Sequence, residues 1–135
     1  MAYDTTATLE ALEDQPLYVH FAADVTPAYG GDAAVTRVER EVVFVKPDIL
    51  VVFDRVDAAA DARRVWQINS AVHPSVAGNV IDLSGASTGF LVWMMGPGGT
   101  TADVVDWTAD DDMNGGWRVD VVDASAGGRS RFLHV

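Results

Sequence analysis

Val35-Thr36-Arg37-Val38-Glu39-Arg40-Glu41-Val42-Val43-Phe44-Val45-Lys46-Pro47-Asp48-Ile49-Leu50-Val51-Val52-Phe53-Asp54-Arg55-Val56 reads as one long β-hairpin. Two runs rich in Val, Ile and Phe flank a turn at Lys46-Pro47-Asp48, where proline sets φ and has no amide proton to give a ladder. With the turn there, residues whose numbers sum to 94 face each other, because antiparallel pairing advances one strand as the other retreats. Val38 then meets Val56, Val42 meets Val52, Phe44 meets Leu50, and Arg40 meets Asp54 on the same apolar side. Glu39 meets Arg55 on the reverse face. Slipping by one residue would set Glu41 against Asp54, a like-charge clash that disfavours the alternative register. The plain reading of Arg40 and Asp54 is a structural ion pair rather than a catalytic one.

Outward from the hairpin the chain alternates short apolar runs with Gly, Pro, Asp and Asn clusters and shows no sustained helical periodicity. Strands are expected at 6–12, 17–22, 35–45, 49–57, 64–70, 80–83, 89–95, 101–107, 117–123 and 130–135. The expected fold is all-β, a two-sheet antiparallel β-sandwich of about ten strands, with a closed barrel as the alternative. The 58–62 segment is too short to be a helix and reads as loop. Residues 42–45, 49–53 and 90–95 are apolar on both faces, more than a sandwich with one wet face requires, so part of the outer surface calls for a cover. Trp93, Met94 and Met95 form a contact patch if they are not core.

A length of 135 residues fits a single domain over 1–135. Hydrophobic content of 49% against 21% charged excludes intrinsic disorder, and no apolar run approaches the ~20 residues that span a bilayer, so no membrane partner is expected. The absence of cysteine removes disulfides and thiolate metal sites. Met1-Ala2-Tyr3-Asp4 has neither the basic segment nor the apolar core of a secretory signal, so none is expected here. A formal charge of −11, with Lys46 the sole lysine, disfavours nucleic acid and heavily sulfated glycans as partners.

Few motifs carry chemistry. Asp110, Asp112 and Asn114, followed by Gly115, match the first half of a calcium loop, but Val121 stands where a bidentate glutamate belongs. Calcium is the one cofactor the spacing admits; the plainer reading is a solvated acidic hairpin tip. His20, His73 and His134 are isolated, without HxH or HExxH spacing, and read as core or strand-end residues. No serine lies in a nucleophile elbow, and Gly96-Pro97-Gly98-Gly99-Thr100 lacks the lysine of a phosphate loop and reads as a turn, as does Gly127-Gly128. Trp66 alternates with Ile68 and reads as core. Trp107 and Trp117 flank the acidic tip and are the candidate glycan-stacking platform.

The wording of several segments resembles the sandwich domain of heparinase II/III-like polysaccharide lyases. Leu17-Tyr18-Val19-His20-Phe21-Ala22-Ala23-Asp24 is similar to that family's aromatic-valine run, and Asp24-Val25-Thr26-Pro27-Ala28-Tyr29 to its DxTxAY element. The hairpin is similar to the family's own hairpin, and Val65-Trp66-Gln67-Ile68-Asn69-Ser70 to the strand after it. The resemblance covers residues 6–135 and implies β-elimination of uronate-containing polysaccharides as the parent activity. The family's HxH motif, its His-Asn-Thr segment and the helical toroid that carries its catalytic tyrosine have no match here. Tyr29 and His20 fall outside the corresponding patterns, so no catalytic residue is assigned. The resemblance thus implies a non-catalytic scaffold or docking domain, with a polysaccharide or a catalytic domain as partner and the chain a fragment of a larger lyase. A stand-alone carbohydrate-binding module, calcium-assisted through Asp110, Asp112 and Asn114, is the second expectation. A self-associating structural protein, a homodimer, is the third.

Overall fold

The computed structural model describes residues 6–109 and 116–135. Among them the chain is nearly all strand and antiparallel, in two sheets of the β-sandwich class, as its patterning implies. The strands are β1 (Thr8–Asp14), β2 (Tyr18–Asp24), β3 (Val35–Val45), β4 (Ile49–Ala58), β5 (Arg64–Ser70), β6 (Ser75–Ala77), β7 (Val80–Asp82), β8 (Leu91–Gly96), β9 (Thr100–Asp106), β10 (Trp117–Asp123) and β11 (Arg129–His134). The three-residue β6 was not expected, because Ser-Val-Ala is too short to show alternation. Pro27 starts a short 3-10 turn, Thr26–Tyr29, that closes on Gly30 at φ 65, a left-handed conformation natural to glycine. Two compact units result: Met1–Ala62 with Ala126–Val135, and Arg63–Ser125.

In the first unit the order is β1-β2-β3-β4-β11. The β3–β4 register is the one derived from the sequence: Val38 opposite Val56, Glu39 opposite Arg55, Arg40 opposite Asp54, Val42 opposite Val52, Phe44 opposite Leu50. Extending it across the ladders defines continuous rows of side chains. Leu12, Phe21, Val42, Val52 and His134 form one, and Leu9, Ala23, Arg40, Asp54 and Phe132 the next. Burial runs out along both rows. Phe132 and His134 are almost wholly buried, whereas Leu9 and Leu12 are 59% and 66% exposed. One end of this face is therefore core and the other is uncovered apolar surface, which is the cover problem posed by the doubly apolar strands.

Gly128 joins β11 to this sheet. A Cβ there would overlap the Ala58 carbonyl oxygen, while its own carbonyl accepts from the Ala58 N–H at 2.7 Å. Only glycine permits so close a backbone approach.

The second unit holds two sets of strands. β10 lies between β5 and β9, and β7 lies between β6 and β8. Trp66, Val119 and Val121 share the buried face of the three-stranded sheet, as expected for Trp66, with Ile81, Leu83 and Val92 also buried. Arg64 and Asp123 sit opposite each other on that face, nearly inaccessible, with 3.9 Å between Nε and Oδ2, and Arg64 Nη2 donates to the Ser125 carbonyl at 2.8 Å. On β8 the exposed stripe is Leu91, Trp93 and Met95, while Val92 is buried and Met94 half-buried, so strand alternation divides the expected Trp93-Met94-Met95 patch.

Candidate functional site

The ion pair at the centre of the hairpin is bidentate. Arg40 Nε and Nη2 donate to the two Asp54 oxygens at 2.6 and 2.7 Å. Its partners differ sharply in exposure, the Asp54 side chain at 6% and Arg40 at 47%, because along this row burial ends between β4 and β3, although Val38 two residues away on β3 is still buried. The guanidinium thus caps a buried carboxylate from the solvent side, and the hydrogen bonds to Asp54 raise the Arg40 pKa further. β11 brings a third group. His134, 2% exposed, lies in the row beside Asp54 and feels both charges. Burial dominates, holding the imidazole neutral with its pKa lowered to about 4; Asp54 opposes that shift and Arg40 reinforces it.

The Asp-Val-Thr-Pro-Ala-Tyr element has a local structural explanation. Asp24 Oδ1 accepts the Thr26 N–H at 2.8 Å, and hydrogen bonds from Thr26 hold the Asp24 carboxyl below its usual range. The Thr26 hydroxyl accepts the Val38 N–H at 2.8 Å and the Val25 N–H donates to the Val38 carbonyl, which ties the turn to β3 where its pairing is irregular. Tyr29 is left half exposed, within electrostatic reach of Arg40.

The reverse face of the same sheet carries an alternating charge network. Arg37 forks onto Glu39 at 2.6 Å through both nitrogens, Arg55 reaches Glu41 at 2.6 Å, and Arg131 reaches Asp57 at 2.9 Å with Arg129 at 3.9 Å. Hydrogen bonds from Arg37 and Arg131 lower the pKa of Glu39 and Asp57 respectively. Four of the chain's nine Lys and Arg residues are thereby set against three carboxylates, Arg129 and Arg131 sharing Asp57.

In the second unit, Trp107 and Trp117 do not form a single platform. β10 aligns Trp117 with Asp106, and the Trp107 N–H donates to the Gly116 carbonyl, so the two indoles project from opposite faces. Trp117 meets His73 edge to face at 4.2 Å. Trp107 instead lies under Arg118, whose Cζ is 4.5 Å from the ring centroid. Arg118 in turn forks onto Asp120 at 2.6 and 3.1 Å, Gln67 Nε2 donates to Asp120 at 3.0 Å, and Arg63 stands 3.9 Å away. Asp120 is 4% exposed on a face whose neighbours Gln67, Asn69 and Asp103 are open to solvent. Sequence reading missed this array, whose signal is the alternation Gln67-Ile68-Asn69 against Arg118-Val119-Asp120.

The calcium-loop residues Asp110, Asp112 and Asn114 lie outside the described residues. Among those described, no group of three or more His, Cys, Asp or Glu side chains is placed to hold a metal ion.

No protein-family model and no curated protein matches this chain. Solved structures do. The heparan sulfate lyase HepC from Pedobacter heparinus superposes with a TM-score of 0.73 at 14% identity, over 95% of this chain and 21% of that one. A HepC mutant gives 0.69 at 15% identity with the same coverage. The chain therefore spans about a fifth of the length of these lyases and shares the fold of that part.

Proposed function

We propose that this chain is a non-catalytic β-sandwich domain, a scaffold or docking element for a catalytic domain that cleaves uronate-containing polysaccharides. The observation that carries the reading is the closed state of the Arg40–Asp54–His134 cluster. The guanidinium is committed to Asp54 through two hydrogen bonds, and the imidazole is 2% exposed and neutral well below pH 7, so neither is presented to a substrate as acid or base. The fold likeness to one fifth of a heparan sulfate lyase supports the same reading, since it is a likeness to a domain-sized part of that enzyme and not to the whole. The docking surface is the uncovered end of the sheet, where Leu9, Leu12 and Leu50 are exposed beside half-buried Phe21, Val42 and Phe44. The purified chain incubated with polyuronates is expected to yield no ultraviolet-absorbing unsaturated product. Turnover abolished by replacing His134 or Arg40 would overturn the proposal.

A second reading, self-association, is favoured by β1, an edge strand exposed along nearly its whole length with Leu9 and Leu12 on one face. Light scattering at micromolar concentration decides it: a monomer excludes the dimer.

A further inference from the structure

We infer that the open face of the β5–β10–β9 sheet is a binding face for a neutral, hydroxyl-rich ligand, an extended uncharged oligosaccharide. The face is preorganised: Trp107 supports Arg118, Arg118 and Gln67 orient Asp120, and Asp120 is buried although its neighbours are not. Orientation of this kind removes the rotamer entropy that long polar side chains otherwise lose on binding. Around that centre, unused hydrogen-bonding capacity is exposed. Among the described residues Gln67 Oε1, Arg118 Nη1, the Asn69 amide and the Asp103 carboxylate have no hydrogen-bond partner in the protein.

The chemistry of these groups selects the ligand class. Guanidinium nitrogens only donate, carboxylates only accept and amides do both, so the face matches a ligand whose every hydroxyl can do either. Two cations, Arg63 and Arg118, stand with two anions, Asp103 and Asp120, and the balance gives a polyanion no counterion gain in a chain of net charge −11. A row across the strands runs Gln67, Asp120, Asp103, and the next begins Asn69, Arg118. Neighbouring strands lie about 4.8 Å apart, close to the length of one sugar ring, so an extended glycan crossing the strands meets Gln67 and Asp103 on the outer strands and, on the middle one, Arg118, which is hydrogen-bonded to the buried Asp120. This face is separate from the docking surface proposed above, and lyase turnover by the chain would leave it untouched.

Affinity electrophoresis of the whole chain through gels containing laminarin, xylan or galactomannan, with polygalacturonate and alginate in parallel, tests the inference. Retardation by at least one neutral polysaccharide is expected, with affinity lowered about tenfold in the Gln67→Ala/Asn69→Ala double variant, the factor that loss of one to two hydrogen bonds gives. Gln67→Ala also removes a hydrogen bond to the buried Asp120, so the double variant is expected to melt below the parent and is compared where both are folded, while Asn69→Ala alone, which leaves the partners of Asp120 in place, is expected to melt like the parent. No retardation by any neutral polysaccharide, retardation by polyuronates alone, or neutral binding unchanged in the double variant would each overturn it.

Discussion

Acidification from pH 7 to pH 4 is expected to destabilise the chain through His134. The imidazole has an ordinary pKa of 6.5 when unfolded and about 4 when buried in the folded sheet. Between those values the unfolded state binds more protons, so stability falls as pH falls: it is complete above 6.5, declines through the window, and the loss is full below 4. A shift of about 2.5 units at 1.36 kcal/mol each amounts to about 3 kcal/mol, a sizeable part of the ~5–15 kcal/mol that holds a small domain. Carboxylates with lowered pKa, such as Asp24, Glu39 and Asp57, also lose stability on acidification, but only below the ordinary carboxylate range, so pH 4.5–6.5 belongs to the imidazole. Urea unfolding at half-unit pH intervals measures the slope, and His134→Gln isolates it, because only the change with pH matters and not the variant's absolute stability. The expected slope approaches 1.4 kcal/mol per pH unit in the parent and is strongly reduced in the variant. A flat profile over that window, or an equal slope in both proteins, would refute the reasoning.

Other perturbations act on the same sheet. Arg40→Met strands a buried carboxylate and should cost about 3 kcal/mol in urea unfolding, while Asp54→Asn, which leaves a half-exposed guanidinium free to turn to water, should cost less than half as much. Equal losses would contradict the exposure asymmetry. Thr26→Val removes the acceptor of the Val38 N–H and should lower stability by about 1–2 kcal/mol, with faster amide exchange at Val38 as the local readout. Gly128→Ala forces β11 away from Ala58 and should cost about 1–3 kcal/mol, with weakened protection of the Ala58 amide.

The β3–β4 hairpin was legible because a short turn pins register: once Pro47 is placed, every partner is fixed by counting, and the charges of Glu39, Arg40, Asp54 and Arg55 check the result. The ladder between β9 and β10 was not, because ten residues, 107–116, separate the two strands and a loop of that length leaves the register open; one residue of offset put the two indoles on opposite faces. The sequence by itself determined the all-β class, the hairpin and the Arg40–Asp54 contact, each set by alternation or short-range geometry. Tertiary structure alone decided which end of the sheet is buried and that His134 lies beside Asp54. That pairing joins β4 to β11, and no local pattern encodes which distant strand completes a sheet or where its cover stops.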